Sequence, residues 1–221
     1  MELLFDLDGT LTDPEVGITQ CIAHALTSLG RSSPPANLLR RYIGPPLRGA
    51  FAELLGTEDE PTIDAALGYY RQRFVAVGMY ENEVYKEVPD GLAMLRERGH
   101  RLWVATSKPA VYARQILEHF HLNLLFQAIY GSELSGERAD KGALIAHILE
   151  RERLDSSDVW MIGDRAHDIV GGRANNTRTM GVLWGYGSEE ELLSAKPNCV
   201  ADSMATLIGL VDDEPSTTPM A

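Results

Sequence analysis

Residues 3–13 read Leu3-Leu4-Phe5-Asp6-Leu7-Asp8-Gly9-Thr10-Leu11-Thr12-Asp13, and the rest of the chain is organised around them. The first three residues form a short apolar run, which is typical of a strand buried on both faces. Asp6 and Asp8 would point the same way if the strand continued, because side chains alternate along a strand. Gly9 ends the strand and lets the chain turn. Two neighbouring buried carboxylates repel each other and lose hydration, a conflict that a divalent cation would resolve.

A simpler interpretation of the same stretch is a polar strand end followed by a turn. Asp13 and Pro14 fit this interpretation, because they form a good N-cap and first-turn proline for the next helix. The interpretation leaves Asp6 and Asp8 without an explanation.

The composition restricts the partners of the protein. The chain has 221 residues, which suits one large domain or a core with a smaller inserted domain. Its hydrophobic fraction of 44% is ordinary for a globular protein. The formal net charge is −12, from 32 acidic and 20 basic residues, which argues against a nucleic-acid polymer or a membrane as the main partner. A site for phosphate would therefore need local positive charge or a metal ion.

The cellular location is predicted from the cysteines and the N-terminus. Cys21 and Cys199 lie in ordinary periodic segments and suggest reduced thiols. The N-terminus enters the first strand directly, without the basic and long apolar segments of a signal peptide or membrane anchor. We therefore expect a cytoplasmic protein.

Residues 14 to about 80 show helical patterns only. The predicted helices span residues 14–29, 36–43, 47–55 and 61–77. The longest of them carries one apolar stripe for core packing, formed by Ile63, Leu67, Tyr70, Phe74 and Val77.

From residue 87 the pattern changes to alternating helices and strands. Helices are predicted over residues 91–98, 109–120, 141–151, 168–175, 188–195 and 204–210, and strands over residues 101–105, 126–130, 159–162, 179–184 and 199–200. Repeated strand–helix units indicate a Rossmann-like α/β fold, a parallel sheet with helices on both faces. The first strand must join this sheet to pair its backbone. The expected organisation is a core of residues 1–13 and 86–211, a helical insertion of residues 14–85, and a flexible tail of residues 212–221.

Two segments near strand ends are candidates for anion binding. Ligands of an open parallel sheet lie beyond the carboxyl ends of its strands. Thr106-Ser107-Lys108-Pro109 follows one strand, where a hydroxyl and free backbone amides can hold an anion, although Ser or Thr also caps ordinary helices. Lys141 opens a helix, where the dipole disfavours a cation, so it either has a function there or is a solvated surface lysine.

A second acidic segment, Gly163-Asp164-Arg165-Ala166-His167-Asp168, follows the apolar strand of residues 159–162. Asp164 and Asp168 are four residues apart, so one helical turn would place both on one face. Carboxylates in this position suit Mg²⁺. The alternative is a loop with a helix cap at Asp168.

Taken together, these segments resemble the four signature motifs of the haloacid dehalogenase-like (HAD) hydrolase superfamily. The helical insertion is similar to the C1 type of cap in that superfamily. The pattern, with Ile43-Gly44-Pro45-Pro46-Leu47, looks most like the phosphoglycolate phosphatase-like branch, whose members are also labelled 5′-nucleotidases. Motif four departs from many relatives in having Arg165 where a second aspartate can stand. The motifs in order are Asp6-Leu7-Asp8-Gly9-Thr10, Thr106, Lys141 and Gly163-Asp164-x-x-x-Asp168.

The resemblance implies a Mg²⁺-dependent phosphomonoesterase that hydrolyses a small phosphorylated metabolite through an aspartyl-phosphate. By that resemblance Asp6 is the nucleophile and Asp8 is the general acid and base. The carboxylates of Asp6 and Asp164 and the backbone carbonyl of Asp8 would hold the metal, and Asp168 would orient its ligands.

The remaining implied roles concern the phosphate and the leaving group. Thr106, Ser107 and Gly9 would hold phosphoryl oxygens, and Lys141 would offset the charge shared by Asp6 and the phosphate. Substrate contacts are expected from Lys108 and from Arg48, the latter being more often a solvent-exposed helix arginine. His167 is expected to be a surface or packing residue.

Alternatives remain open at this point. A β-phosphoglucomutase-like phosphomutase keeps both aspartates, whereas a haloacid dehalogenase or a non-catalytic scaffold of this fold fits less well. The resemblance implies a small phosphate ester as substrate, such as phosphoglycolate or a nucleoside monophosphate. The protein is expected to be a monomer or a homodimer.

Overall fold

The computed structural model describes residues 1–213 and contains a six-stranded parallel sheet. The order across that sheet is β5-β4-β1-β6-β7-β8, so the first strand lies in its middle. The strands are β1 (Glu2–Phe5), β2 (Thr12–Asp13), β3 (Glu83–Val84), β4 (Arg101–Pro109), β5 (Ala128–Ser132), β6 (Val159–Gly163), β7 (Arg178–Val182) and β8 (Cys199–Ala201). The predicted fold class is confirmed.

Helices lie on both faces of the sheet. They are α1 (Glu15–Ser28), α2 (Ala36–Leu39), α3 (Leu47–Leu55), α4 (Glu60–Arg73), α5 (Val88–Glu97), α6 (Ala110–His119), α7 (Lys141–Glu152), α8 (Ala166–Ala174), α9 (Glu189–Ala195) and α10 (Met204–Asp212). Leu3 and Phe5 pack into one hydrophobic cluster and Leu4 into another, so the alternation of strand side chains feeds two cores. Residues 3–5 are at most 1% exposed, as the apolar run predicts.

The strand order brings the motif-bearing loops together. Phe5 at the end of β1 pairs in parallel with Val104 on one side and Ile162 on the other. The carboxyl ends of β1, β4 and β6 therefore lie side by side. Residues that follow these three strands meet at one edge of the sheet, where the chain switches from β4–β5 to β6–β7.

A short ribbon that the sequence did not predict joins the ends of the helical segment. Thr12 pairs with Val84 and Asp13 with Glu83 in an antiparallel arrangement. Each strand has two residues, which is too short to produce a recognisable pattern. The ribbon closes the segment where the chain leaves and re-enters the sheet.

The predicted apolar stripe of the longest helix is wrong at its end. Ile63, Leu67, Tyr70 and Phe74 are buried, but Val77 is 49% exposed. The helix continues beyond α4 as a π-helical turn, Phe74–Gly78. The wider turn of a π-helix shifts the phase of the side chains that follow, so Val77 leaves the stripe.

The last described helix extends into the first residue of the predicted tail. The last helix reaches Asp212, whose carboxylate is bound by Arg98, and residues 214–221 of the predicted tail lie outside the described residues. No helix within residues 1–213 has the length and apolar character needed to span a membrane. The division into a core and an inserted domain stays a prediction.

Candidate active site

Asp6 and Asp8 lie at the carboxyl end of β1 and are 2% and 6% exposed. The backbone N–H of Asp6 donates to the carbonyl of Ile162 at 2.9 Å, so the ladder between β1 and β6 holds this residue in place. Gly9 then turns the chain with a φ of +85°, a conformation that suits glycine. The predicted pair of carboxylates is therefore buried just beyond the end of β1.

Lys141 is the cation of an acidic cluster that comprises Asp6, Asp8, Asp164 and Asp168. Its Nζ lies 2.9 Å from Asp6 Oδ1 and 2.7 Å from Asp168 Oδ1, and it donates to the carbonyl of Ala105 at 2.8 Å. Its side chain is 1% exposed, which excludes a solvated surface lysine. Burial acts to lower the pKa of Lys141, but Asp168 and Asp6 outweigh burial and raise it. The lysine is therefore an ammonium ion.

Asp164 carries the least compensated charge. Its Oδ1 accepts from the Thr10 hydroxyl at 3.2 Å and its Oδ2 accepts from the backbone N–H of Tyr186 at 2.8 Å. Burial, followed by repulsion from Asp168 and Asp6, raises the pKa of Asp164 well above its ordinary value. A cation beside this carboxylate would therefore be stabilising.

The pKa values of Asp6 and Asp168 shift in opposite directions because their surroundings differ. Burial raises the pKa of Asp6 in spite of Lys141. Burial also acts on Asp168, but Lys141 and His167 outweigh it and lower the pKa of that carboxylate. Asp168 also accepts from the backbone N–H of Arg165 at 3.1 Å, which caps α8 from the third helical position. Asp168 therefore caps the helix, as the alternative interpretation expected, and also forms an ion pair with Lys141.

Two arrangements of these groups are candidates for a metal site. Ligand atoms of Asp6, His167 and Asp168 come within 4.8 Å of one another. The ammonium of Lys141 already contacts Asp6 and Asp168, so a second cation among these three residues would be repelled. We favour a second arrangement, formed by Asp6, the backbone carbonyl of Asp8 and Asp164, because Asp164 has no ion-pair partner within residues 1–213.

The loop geometry agrees with this choice. Asp8 Oδ1 is buried and has no hydrogen-bond partner among the described residues. A Cβ atom on Gly9 would lie 2.3 Å from Asp164 Oδ2, so only glycine leaves the two segments this close. An all-oxygen set of carboxylates and a backbone carbonyl suits a hard divalent cation.

The last residues of β4, the other strand that pairs with β1, lie beside Asp8. Thr106 is 2% exposed, and its Oγ1 accepts from the backbone N–H of Lys108 at 3.3 Å. Lys108 Nζ lies 2.8 Å from Asp8 Oδ2 and 4.9 Å from the centre of the Phe74 ring. The hydroxyl of Ser107 is buried without a hydrogen-bond partner within residues 1–213. These polar groups lie beside the carboxylate pair, and Lys108, expected as a substrate contact, forms an ion pair with Asp8.

A cavity of about 540 Å³ opens from Asp6 and Asp8 toward the helical segment. The cavity is also lined by Thr106, Ser107 and Lys108. Arg48 lies in its wall, but its guanidinium is paired with Glu60 and Asp64. Aromatic side chains form much of the wall, namely Tyr42, Tyr70, Phe74 and Tyr112.

Sequence reasoning missed the segment Trp184–Gly187, which packs on the acidic cluster. The indole N–H of Trp184 donates to the carbonyl of Thr10 at 3.0 Å, and the Tyr186 hydroxyl donates to Asp13. A Cβ on Gly185 would lie 2.3 Å from the carbonyl oxygen of Gly9, so the segment needs a glycine there. The alternation of Gly and aromatic residues just after β7 is a signal that could have found it.

The chain resembles known proteins over nearly its whole length. A family model described as "Haloacid dehalogenase-like hydrolase" matches residues 3–182. A protein of Pseudomonas aeruginosa called "5'-nucleotidase" is 46% identical over 205 residues, covering 93% of this chain and 92% of that protein. "Tyrosine-protein kinase PtkA" of Mycobacterium tuberculosis is 39% identical over 84% of this chain and 62% of its own length. A crystal structure titled as that of a "predicted phosphatase" from Clostridium acetobutylicum superposes with a TM-score of 0.93 at 41% identity, over 96% of this chain and 98% of that one.

Proposed function

Because this chain belongs to the haloacid dehalogenase-like hydrolase family, we propose that it is a Mg²⁺-dependent phosphomonoesterase that works through an aspartyl-phosphate. The observation that carries the proposal is the placement of Asp6, Asp8 and Thr106 in the wall of one cavity, with Asp6 in contact with the Lys141 ammonium at 2.9 Å. This arrangement supplies a nucleophile, a proton donor, a hydroxyl for the phosphate and a fixed positive charge.

In the first half of the reaction, a carboxylate oxygen of Asp6 attacks phosphorus and the bond to the ester oxygen breaks. Asp8 gives its proton to the departing alkoxide. The Thr106 hydroxyl and nearby backbone N–H groups hold the phosphoryl oxygens. Lys141 keeps a positive charge against Asp6 throughout, in a site from which water is largely excluded.

In the second half, a water molecule attacks phosphorus and the bond between phosphorus and Asp6 breaks. Asp8 takes the proton of that water, so the acid of the first half is the base of the second. The products are the alcohol and inorganic phosphate, and both aspartates return to their starting states.

The residues present fit a magnesium ion. Asp6, the backbone carbonyl of Asp8 and Asp164 would hold it, and the uncompensated charge of Asp164 supports this set. When bound, the ion supplies positive charge against the phosphoryl oxygens and lowers the repulsion between them and Asp6. Asp168 acts indirectly. Its Oδ1 lies 2.7 Å from the Lys141 ammonium and holds that ammonium against Asp6.

For the substrate we propose a nucleoside monophosphate. A cavity of about 540 Å³ is large for a two-carbon acid and suits a leaving group that contains rings. Half-buried Tyr42 and Tyr112 are in its wall, where a planar base can stack. The similarity to a protein called 5'-nucleotidase supports the same choice.

The test is a panel of phosphate esters incubated with the full chain and Mg²⁺. Nucleoside 5′-monophosphates, phosphoglycolate, a sugar phosphate and pyrophosphate are compared by release of inorganic phosphate. Asp6→Asn should lower release at least about a thousandfold while keeping the fold, because an amide is a poor nucleophile. Glu118→Gln, which removes an exposed carboxylate from α6, is the control and should behave like the parent.

Two results would contradict the proposed reaction, and a third would contradict the proposed substrate class. Appreciable activity of Asp6→Asn, in a preparation free of contaminating phosphatase, would exclude an aspartyl-phosphate at this residue. Conversion of a sugar phosphate to its isomer without net phosphate release would identify a phosphomutase instead. Faster release from phosphoglycolate than from any nucleotide would reject the proposed substrate class alone.

A further inference from the structure

Arg165 links Asp164, a proposed metal ligand, to the helical segment, and the proposed reaction gives it no role. Its neighbour Asp164 belongs to the acidic cluster, and its own backbone N–H donates to Asp168 Oδ2 at 3.1 Å. Its side chain is 12% exposed and turns away from the carboxylates. A long cationic side chain with this degree of burial has specific partners.

The guanidinium binds the helical segment and α9 at the same time. Nη1 donates to the carbonyl of Ile43 at 2.5 Å and to that of Arg41 at 3.3 Å. Nε lies 2.9 Å from Glu191 Oε1, which also accepts from the backbone N–H of Ala166 at 2.9 Å. The planar fork of arginine can satisfy these separate acceptors together, which a lysine cannot do.

The two carbonyls belong to the turn that enters the wall of the cavity. They flank the end of a 3₁₀ turn, Arg40–Tyr42, and lead into Gly44, Pro45 and Pro46, which line the cavity. Gly44 has a φ of +101°, and a Cβ on it would lie 3.2 Å from Arg165 Cγ. The backbone of this wall therefore packs directly on the stem of the arginine.

We propose that Arg165 is a positioning residue that fixes the wall of residues 41–46 relative to Asp164 and thereby determines how the leaving group is held. Arg165, which follows the proposed metal ligand Asp164, thus acts on the leaving group, at the opposite end of the substrate from the phosphate. The role in substrate binding rests on the proposed phosphatase function, whereas the mechanical link between the two segments does not.

The link is tested by hydrogen exchange without substrate. In Arg165→Gln, backbone amides of residues 40–50 should exchange about tenfold faster, because two charge-assisted hydrogen bonds to the wall are lost. Arg173→Gln is the matched control, since Arg173 is on the helix that Arg165 precedes and also donates to a backbone carbonyl, that of Lys196, outside the helical segment. The control should leave exchange in residues 40–50 unchanged.

The substrate role is tested by kinetics on the same variants. Arg165→Gln should raise KM for a nucleoside monophosphate about tenfold and change kcat less than about threefold, because the reacting groups are untouched. For acetyl phosphate, which lacks a bulky leaving group, KM should change less than about threefold. Arg165→Lys keeps the charge opposite Glu191 but not the fork, and should give an intermediate KM.

The outcomes separate the two parts of the proposal. Unchanged exchange in Arg165→Gln, or equal acceleration in Arg173→Gln, overturns the link. Faster exchange with an unchanged KM, or an equal loss for both substrates, overturns the role in holding the leaving group. Absence of phosphate release from every ester in the parent protein would refute the proposed function while the exchange result still decides the link.

Discussion

Lys141 and Asp6 form a buried ion pair, with Nζ 2.9 Å from Oδ1 and side chains 1% and 2% exposed. The same nitrogen lies 2.7 Å from Asp168 Oδ1, so one ammonium serves two carboxylates. Removing these groups from water is costly, and stability alone would not favour keeping them. The arrangement is understandable if Asp6 must stay ionised and fixed in direction for attack on phosphorus.

Removing the cation should destabilise the protein. Lys141→Met leaves Asp6 and Asp168 buried without their partner, and should lower the free energy of unfolding by about 3 kcal/mol. Urea denaturation at pH 7.5 without metal measures the change. In Lys141→Met/Asp168→Asn one of the two orphaned carboxylates is also removed, so part of the lost stability should return. If Lys141→Met were as stable as the parent, the ion pair would contribute nothing to the free energy of unfolding.

Magnesium should stabilise the folded state through Asp164. This carboxylate is buried near Asp6 and Asp168 with its charge poorly compensated, so a bound cation relieves repulsion. In a thermal melt, 5–10 mM Mg²⁺ should raise the Tm of the parent by about 3 °C or more relative to EDTA. Asp164→Asn should show little shift, and Glu118→Gln should keep the full shift. An equal shift in all three proteins would place the ion elsewhere.

The aromatic–glycine segment after β7 should tolerate no side chain at Gly185. A Cβ there would lie 2.3 Å from the Gly9 carbonyl oxygen and 2.4 Å from Asp164 Cβ, so Gly185→Ala should cost about 2 kcal/mol of unfolding free energy. Gly209→Ala in α10 is the matched control, because no described atom outside the local helix backbone lies within 4 Å of its added methyl. It should stabilise by up to about 1 kcal/mol, as alanine favours helices. Both are measured by urea denaturation, and a neutral Gly185→Ala would refute the close packing.

Stability should also depend on pH through His100. Burial, then the N-terminal ammonium and Arg98, lower the pKa of this imidazole below its ordinary 6.5. The unfolded chain therefore binds a proton at a higher pH than the folded one, so the contribution is fully favourable above about 6.5 and is lost as pH falls toward the folded pKa. Relative to His100→Asn, the parent should lose unfolding free energy between pH 7.5 and 5.5. Parallel curves for the two proteins would contradict the shift.

Much of the fold and the candidate site followed from local sequence. The apolar run before Asp6 predicted a fully buried strand, and the alternation after residue 87 predicted the parallel sheet, because both patterns depend on neighbours a few residues apart. Once the sheet is parallel, the carboxyl ends of its strands share one edge. The motifs after β1, β4 and β6 then had to meet, and they do.

Only the tertiary structure decided which partner each site residue has. Lys141 contacts Asp6 and Asp168, Arg165 reaches the carbonyl of Ile43, and Trp184 donates to Thr10, all across long separations in the chain. Such contacts depend on how helices and strands pack against one another. The periodicity of apolar residues in the sequence indicates only which face of one element is apolar. The sequence by itself therefore determined the strands of the parallel sheet and the common edge of the motif-bearing loops, and packing determined the direction of each side chain within the site.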